Sequence, residues 1–227
     1  MRNRFDRLFT PLLAGANWRD RLIATAGALI GVGLTALTCG LFAGTPEVSL
    51  LVAPMGASAV LLYAVPASPL AQPWPVFGGN TVSAIVGIAA AQLIGHSALA
   101  AGIAVSVAIL LMSVLRCLHP PGGACALLAV LGGPAVLSQG YGFALMPVAL
   151  NAGAMVVFAY AFHRVSGHSY PHRAMKAAPT LEAVRLLRDD IDAALAELGE
   201  TFDVSREDLE ALLASAERHA DVRRGRK

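Results

Sequence analysis

Charged residues are scarce in the middle of this sequence. They make up 14% of the 227 residues, against about a quarter in an ordinary soluble domain. Between Leu22 and Phe162 the only charged residues are Glu47 and Arg116. With 56% hydrophobic residues and a mean hydropathy of +0.62, the composition excludes a soluble globular domain. It predicts an integral membrane block with two polar flanks.

The apolar block also lacks the residue sets that intramembrane catalysis needs. It contains no paired carboxylates, no Ser–His–Asp arrangement and no cluster of metal ligands, so we expect no enzyme and no cofactor. Cys39, Cys117 and Cys125 lie in or beside apolar runs, which is typical of small buried residues rather than of a disulfide set. Cys125 and His119 are the one nucleophile–base pair available, and their spacing gives no reason for contact.

Six apolar stretches, separated by proline, glycine or polar breaks, predict an all-α membrane protein. They lie at 22–44, 51–66, 76–95, 98–117, 121–137 and 142–163. Four reach about 20 residues, enough to cross a hydrocarbon core of roughly 30 Å. The second and fifth are short and are entered through proline and glycine. The pattern fits six crossings of the membrane. It fits equally well four crossings combined with two re-entrant segments.

The arginines set the expected orientation. They crowd the N-terminal flank, and Arg164, Arg173 and Lys176 follow the last stretch, so the positive-inside rule places both termini in the cytoplasm of a multi-pass inner-membrane protein. The first stretch is too long for a signal peptide, and we expect a retained span. The expected divisions are a basic N-terminus (1–21), a transmembrane domain (22–163), a linker (164–179) and a cytoplasmic helical tail (180–227).

Two patterns favour helix association. In the tail, residues 180–198 have apolar positions at helical spacing, Gly199 ends this run, and Ser205 is expected to start a second helix. We expect a helical hairpin that mediates self-association, with a dimer possible, and no nucleic-acid role, because its charges are mixed in sign. In the first stretch, Gly27-x-x-x-Gly31 forms a small-residue face suited to contact within or between protomers.

Two segments resemble each other at a shift of 67 residues. "PMGASAVLL" at 54–62 and "PGGACALLA" at 121–129 share five of nine residues, and Ser58 aligns with Cys125. Asn80 and Asn151 form a looser echo at a spacing of 71. Because the match falls on the two Pro/Gly breaks, it predicts an internal repeat of three plus three segments. Such repeats are inverted when the units have three spans, with a transport site near the bilayer midplane.

The segment "LHPPGGACALL" at 118–128 suggests an anion site. Pro120–Pro121 suit the first turn of a helix, and Gly122–Gly123 would leave backbone N–H groups uncovered at its positive end. Arg116 and His119 add donors nearby. The candidate substrate-binding residues are Arg116, His119, Pro120, Pro121, Gly122, Gly123, Gly56, Ala57, Ser58, Asn80 and Asn151.

Arg116, His119, the glycines and the two asparagines also have a structural interpretation. Arg116 would snorkel at the end of the fourth stretch, and His119 would cap a helix or bind a loop carbonyl. The glycines would allow close helix packing, and the two asparagines would bind neighbouring helices. The alternative function is then a membrane-anchored sensor or scaffold that dimerises through its helices and tail.

These motifs resemble the HPP family of integral membrane proteins. "LHPPGGACAL" is similar to the signature named for His119-Pro120-Pro121, and 53–88 resembles the family's other patterned segment, in which many relatives have a histidine where Asn80 stands. The resemblance covers about residues 15–165. It implies a transporter or channel for a small anion, most specifically nitrite, and four spans, from which the six stretches depart. Many bacterial relatives continue into CBS domains. This chain is therefore expected to be either a naturally short member of the family or a truncated piece of a longer protein.

Overall fold

The computed structural model describes residues 18–43, 51–173, 188–198 and 203–225. Within these ranges the chain is helical and has no strand, as the composition predicts. The helices are α1 (Trp18–Ala43), α2 (Pro54–Ala64), α3 (Pro73–Ile94), α4 (Ala98–Val114), α5 (Pro120–Leu131), α6 (Gly133–Leu137), α7 (Leu150–Ser166), α8 (Arg188–Leu198) and α9 (Arg206–Gly225). A 3-10 turn (Pro69–Ala71) precedes α3, and a π-helical turn (Ala144–Ala149) leads into α7. Glu47, residues 180–187 and Gly199 lie outside the described ranges.

Three helical segments are long and apolar enough to cross a membrane: Trp18–Phe42, Pro73–Ile94 and Ala144–Ser166. The apolar helices α2, α4 and α5 are shorter. The 11 residues of α2 and the 12 of α5 rise only about 16–18 Å at 1.5 Å per residue. The chain is therefore an all-helical membrane protein that combines long and short helices.

Proline opens α2 and α5, the two helices expected at a Pro/Gly break, and it also opens α3. α2, α3 and α5 begin at Pro54, Pro73 and Pro120. Proline has no N–H, but the first N–H groups of a helix have no intrahelical acceptor, so nothing is lost there. His119, just before Pro120, has the extended backbone (φ −143°, ψ 109°) that a residue before proline prefers.

Two of the six apolar stretches are less regular than predicted. The stretch 121–137 is not one helix, because Gly133 has a φ of +73° and separates α5 from α6. The stretch 142–163 begins with the π-helical turn, which contains a non-helical Met146 before Pro147. A positive-φ glycine and an internal proline both interrupt the helical hydrogen-bond ladder.

Contacts between helix ends show which ends lie together. At one end, which we call the near end, Asp20 of α1 and His168 after α7 approach to 3.8 Å. His163 at the end of α7 bonds through Nε2 to the carbonyl of Leu62 near the end of α2, at 2.9 Å. The bundle therefore begins and finishes at the same end.

The remaining helices alternate between the two ends. At the near end, Trp74 of α3 donates its indole N–H to the carbonyl of Leu115 after α4, at 3.0 Å. At the far end, His96 after α3 bonds through Nδ1 to the carbonyl of Val130 in α5, at 3.0 Å. The described helices from α1 to α7 thus pass six times between the ends of the bundle, and the short α2 and α5 each make one of these passages.

The glycine face of α1 receives an aromatic side chain. A Cβ atom on Gly27 would lie 2.5 Å from Cδ1 of Tyr63 and 2.8 Å from Cε1 of Phe162, and one on Gly31 would overlap the Tyr63 ring. Tyr63 is 3% exposed. Its hydroxyl has no hydrogen-bond partner among the described residues. This motif therefore serves packing inside one protomer.

We expect Gly31→Ala to destabilise the protein and Gly33→Ala not to destabilise it. A Cβ on Gly31 would force the buried Tyr63 ring to move, and overpacking of this kind costs about 1–3 kcal/mol. Gly33, on the same helix, has no atom within 4 Å of its added Cβ. Thermal unfolding in detergent measures the difference, and equal midpoints for the two variants would contradict the packing.

The start of the last helix matches the sequence prediction. Ser205 accepts the backbone N–H of Asp208 at 3.1 Å, which caps α9. Asp208 also accepts from His172 Nε2 at 2.9 Å. Desolvation by itself would raise the pKa of Asp208, but hydrogen bonds from Ser205 and His172 and the charge of His172 outweigh it and lower the pKa.

We expect the contact between Asp208 and His172 to weaken in acid. A carboxylate with a lowered pKa stabilises the folded contact above its ordinary value of about 3.9 and loses this contribution as the pH falls through the lowered value. Hydrogen exchange of the α9 amides, corrected for the intrinsic pH dependence, should show this loss in the native chain and not in Asp208→Asn. The same acid response in both chains would refute the assignment to Asp208.

Candidate functional site

His119 is the centre of the site and is fully buried at the break between α4 and α5. Its Nδ1 lies 2.8 Å from the carbonyl oxygen of Leu70, in the 3-10 turn between α2 and α3. Its Nε2 lies 2.9 Å from the hydroxyl of Ser58 in α2. Both ring nitrogens are therefore occupied by partners from other segments.

Two more side chains extend this contact into a network. The Asn80 amide nitrogen donates to the Ser58 oxygen at 3.3 Å and to the Val76 carbonyl at 2.8 Å. The Cys125 thiol donates to the Asn80 amide oxygen at 3.1 Å. Ser58, Asn80, His119 and Cys125 are each 0% exposed. We call these four residues the polar network.

The direction of each hydrogen bond in the polar network follows from its ends. A carbonyl only accepts, so His119 carries a proton on Nδ1 and donates it to Leu70. The Ser58 hydroxyl then donates to the bare Nε2 and accepts from Asn80. Cys125 donates at the other end. The network is a single line of donors from Cys125 to Leu70 and fits a neutral imidazole.

The aligned residues Ser58 and Cys125 meet on one amide. Ser58 binds the nitrogen of Asn80 and Cys125 binds its oxygen. Cys125 and His119 do not contact each other directly, as their spacing in the sequence suggested. Asn80 and Ser58 lie between them. All three cysteines are free and buried, as predicted.

Asn151 belongs to a second buried cluster. Its amide oxygen accepts the backbone N–H of Val52, just before α2, at 3.2 Å. Its amide nitrogen donates to Sγ of Cys39 in α1 at 3.1 Å and to the carbonyl of Pro147 at 2.7 Å. Asn151 thus supports the entry to α2, whereas Asn80 contacts Ser58 within α2 and Cys125 in α5.

The glycines of the "HPPGG" segment have different surroundings. A Cβ on Gly122 would lie 2.7 Å from the Ser83 hydroxyl and 2.8 Å from the carbonyl of Gly79, both in α3. A Cβ on Gly123 would meet only Val105, at 3.9 Å. The N–H of Gly122 is not uncovered as expected, because it donates to the carbonyl of His119 at 2.8 Å. Gly122 allows α3 and α5 to pack closely.

Arg116 is separated from the polar network. It has a φ of +54° in the turn after α4, and its backbone N–H donates to the Ser113 carbonyl at 3.2 Å. Its side chain is exposed, whereas His119 is turned inward. Three residues of separation therefore do not bring the guanidinium onto the buried imidazole.

The remaining predicted residues lie on helix surfaces around the network. Gly56 and Ala57 are on the exposed face of α2, next to the buried Ser58. Pro120 is exposed and Pro121 is buried in the first turn of α5. Of the eleven predicted residues, the structure brings Ser58, Asn80 and His119 into direct hydrogen-bonded contact.

Sequence reasoning missed a second buried histidine. His163 is 4% exposed; its Nε2 faces the Leu62 carbonyl, and its Nδ1 lies 2.8 Å from the Ser166 hydroxyl. Like His119, it lies between a main-chain carbonyl and a serine. The signal was its position as the last residue of the apolar stretch 142–163.

The chain has recognisable relatives. The transmembrane region of the HPP family matches residues 14–171. Two curated transmembrane proteins of Dictyostelium discoideum are each 37% identical to it, over 115 and 117 residues. These stretches cover 49% and 50% of this chain but only 39% and 37% of the relatives, so the chain matches less than half of their length. No solved structure matches it.

We expect Gly122→Ala to lower stability and Gly123→Ala to be tolerated. The first substitution drives a methyl group into the backbone of α3, at a cost of about 1–3 kcal/mol, while the second has room. The two adjacent positions form a matched pair that separates packing from a shared role in ligand binding. Thermal unfolding measures the effect, and equal losses at both positions would contradict the packing.

Proposed function

The chain belongs to the HPP transmembrane family, and from that premise we propose that it carries a small inorganic anion, nitrite in particular, across a membrane. The observation that carries the proposal is the polar network. Buried polar residues inside apolar helices are costly and mark substrate pathways in membrane proteins. This line of donors crosses from α5 to the turn before α3, where two proline-initiated short helices meet.

The distribution of charge favours an anion over a cation. Between Pro54 and Phe162 the sequence contains Arg116 and no Asp or Glu, so no carboxylate is available there to bind a cation. Arg116 lies exposed at the near end, where it would attract anions to the entrance. Binding and passage need no covalent step, and the proposal is a channel or transporter rather than an enzyme.

We further propose that the bundle is an inverted repeat of α1–α3 and α4–α7. In this repeat α1 corresponds to α4, α2 to α5 and α3 to α7. The support is that α1 packs against α2 and α7, while α4 packs against α5 and α3, so corresponding helices have corresponding neighbours. The six passages would then be six crossings. The arginines of the N-terminal flank would place the near end in the cytoplasm, in a bacterial-type inner membrane.

A sensor or scaffold is the second candidate. It is favoured by the saturation of the polar network, in which His119 has both nitrogens bonded and no exposed surface. In that case the network would fix the fold, and homo-oligomers would form through the helices and the tail. If the protein is a transporter, the saturated polar network corresponds to a closed state, which must open for the anion to pass.

Flux in liposomes tests the proposal. We expect saturable nitrite entry, compared with nitrate, formate, chloride and bicarbonate, that falls roughly tenfold or more in Arg116→Ala. The substitution removes the positive charge that would attract anions to the entrance. Flux measured with and without a pH gradient distinguishes a channel from a proton-coupled carrier.

Ser113→Ala is the matched control. Ser113 lies in the same turn of the chain as Arg116, and its exposed hydroxyl bonds only to its own helix, at Ile109. We expect flux in this variant to equal that of the native protein. Absence of flux for every anion in the folded native protein would remove the transport proposal and leave the scaffold.

A further inference from the structure

The 3-10 turn that accepts the His119 hydrogen bond is itself held by the C-terminal tail. Ser68 caps this turn: its hydroxyl oxygen accepts the N–H of Leu70 at 3.1 Å. The same hydroxyl donates to Oδ1 of Asp203, just before α9, at 2.7 Å. One serine therefore connects the tail to the residue whose carbonyl orients His119.

A second connection reaches the loop between α2 and α3, which contains the 3-10 turn, through Gln72. Its amide nitrogen donates to the carbonyls of Pro66 and Ser68, at 3.0 and 2.8 Å, and so closes the loop. Its amide oxygen accepts the backbone N–H of His172 at 2.8 Å. The His172 ring binds Asp208 in the first turn of α9. Both connections end within residues 203–208.

These polar contacts join segments that are otherwise loosely packed. A cleft of about 320 Å³ lies between the loop and the start of α9, lined by Ala67, Pro69, Gln72, His172, Ser205 and Glu207. None of the described residues of α9 is fully buried. Detaching residues 203–208 would therefore break a few hydrogen bonds without exposing a packed apolar core.

We propose that residues 203–208 form a regulatory strap that holds the polar network shut. With the strap docked, the turn presents the Leu70 carbonyl, and His119 is locked between Leu70 and Ser58. With the strap released, the turn is free to move, and the buried Nδ1–H of His119 loses its acceptor and must seek another partner. Release therefore loosens the network and exposes Cys125 at its other end.

The proposal rests on the proposed function in one respect, namely that an open network conducts the anion. Its structural part has a readout of its own, the reactivity of Cys125 toward N-ethylmaleimide, resolved by mass spectrometry in the full-length chain. Cys39, which bonds to Asn151, is the internal reference for general loosening.

We expect Ser68→Ala and Asp203→Asn to raise the labelling rate of Cys125 roughly tenfold, since a hydrogen bond to a charged group shifts an equilibrium by about that factor. Cys39 should label at an unchanged rate. Asp221→Asn is the matched control, because it also removes one negative charge from the tail, and Asp221 pairs among the described residues with the exposed Arg224. We expect it to change neither rate.

The outcomes separate the two proposals. An unchanged Cys125 rate in both strap variants, or an equal rise at Cys39, would overturn the strap. A selective rise with greater nitrite flux supports the strap and its role in transport. A selective rise without flux of any anion in any variant supports the strap as a structural device and overturns the transport function.

Discussion

The bundle depends on the hydrogen bonds of His119, which is buried in apolar surroundings at the break before α5. Neither imidazole nitrogen has access to water, so each needs a protein partner. Leu70 and Ser58 provide them from two other segments, at 2.8 and 2.9 Å. This requirement fixes the position of α2 and of the turn before α3 relative to α5.

Close packing of small residues makes these hydrogen bonds geometrically possible. Gly79 on α3 faces the His119 side chain, and an added Cβ would lie 2.6 Å from its Cβ. Further along, a Cβ on Gly87 would meet the Ala126 carbonyl at 2.5 Å. Small residues let two helix backbones approach when lipid gives no hydrophobic drive for association. The polar network thus depends on glycines of α3, which allow α3 and α5 to approach closely enough for its hydrogen bonds to form.

The sequence predicted the parts of this arrangement that are local. The prolines located the starts of α2 and α5, and Ser205 located the start of α9, because the geometry of a helix start depends on neighbouring residues alone. The structural interpretation of Gly122 and of the two asparagines agrees with their contacts. Arg116 and His119, which were expected to donate close together, differ in burial: Arg116 is exposed in a turn where its φ is +54°, and His119 is fully buried.

Composition and proline placement by themselves determined a helical membrane bundle with two broken elements, because a chain with almost no charge in this block must satisfy its backbone within helices. Only the tertiary structure decided what each buried polar group binds. His119 and Ser58 are 61 residues apart, His119 and Leu70 49, and Cys125 and Asn80 45. Local spacing carries no information about such pairs, because they form only when whole helices pack.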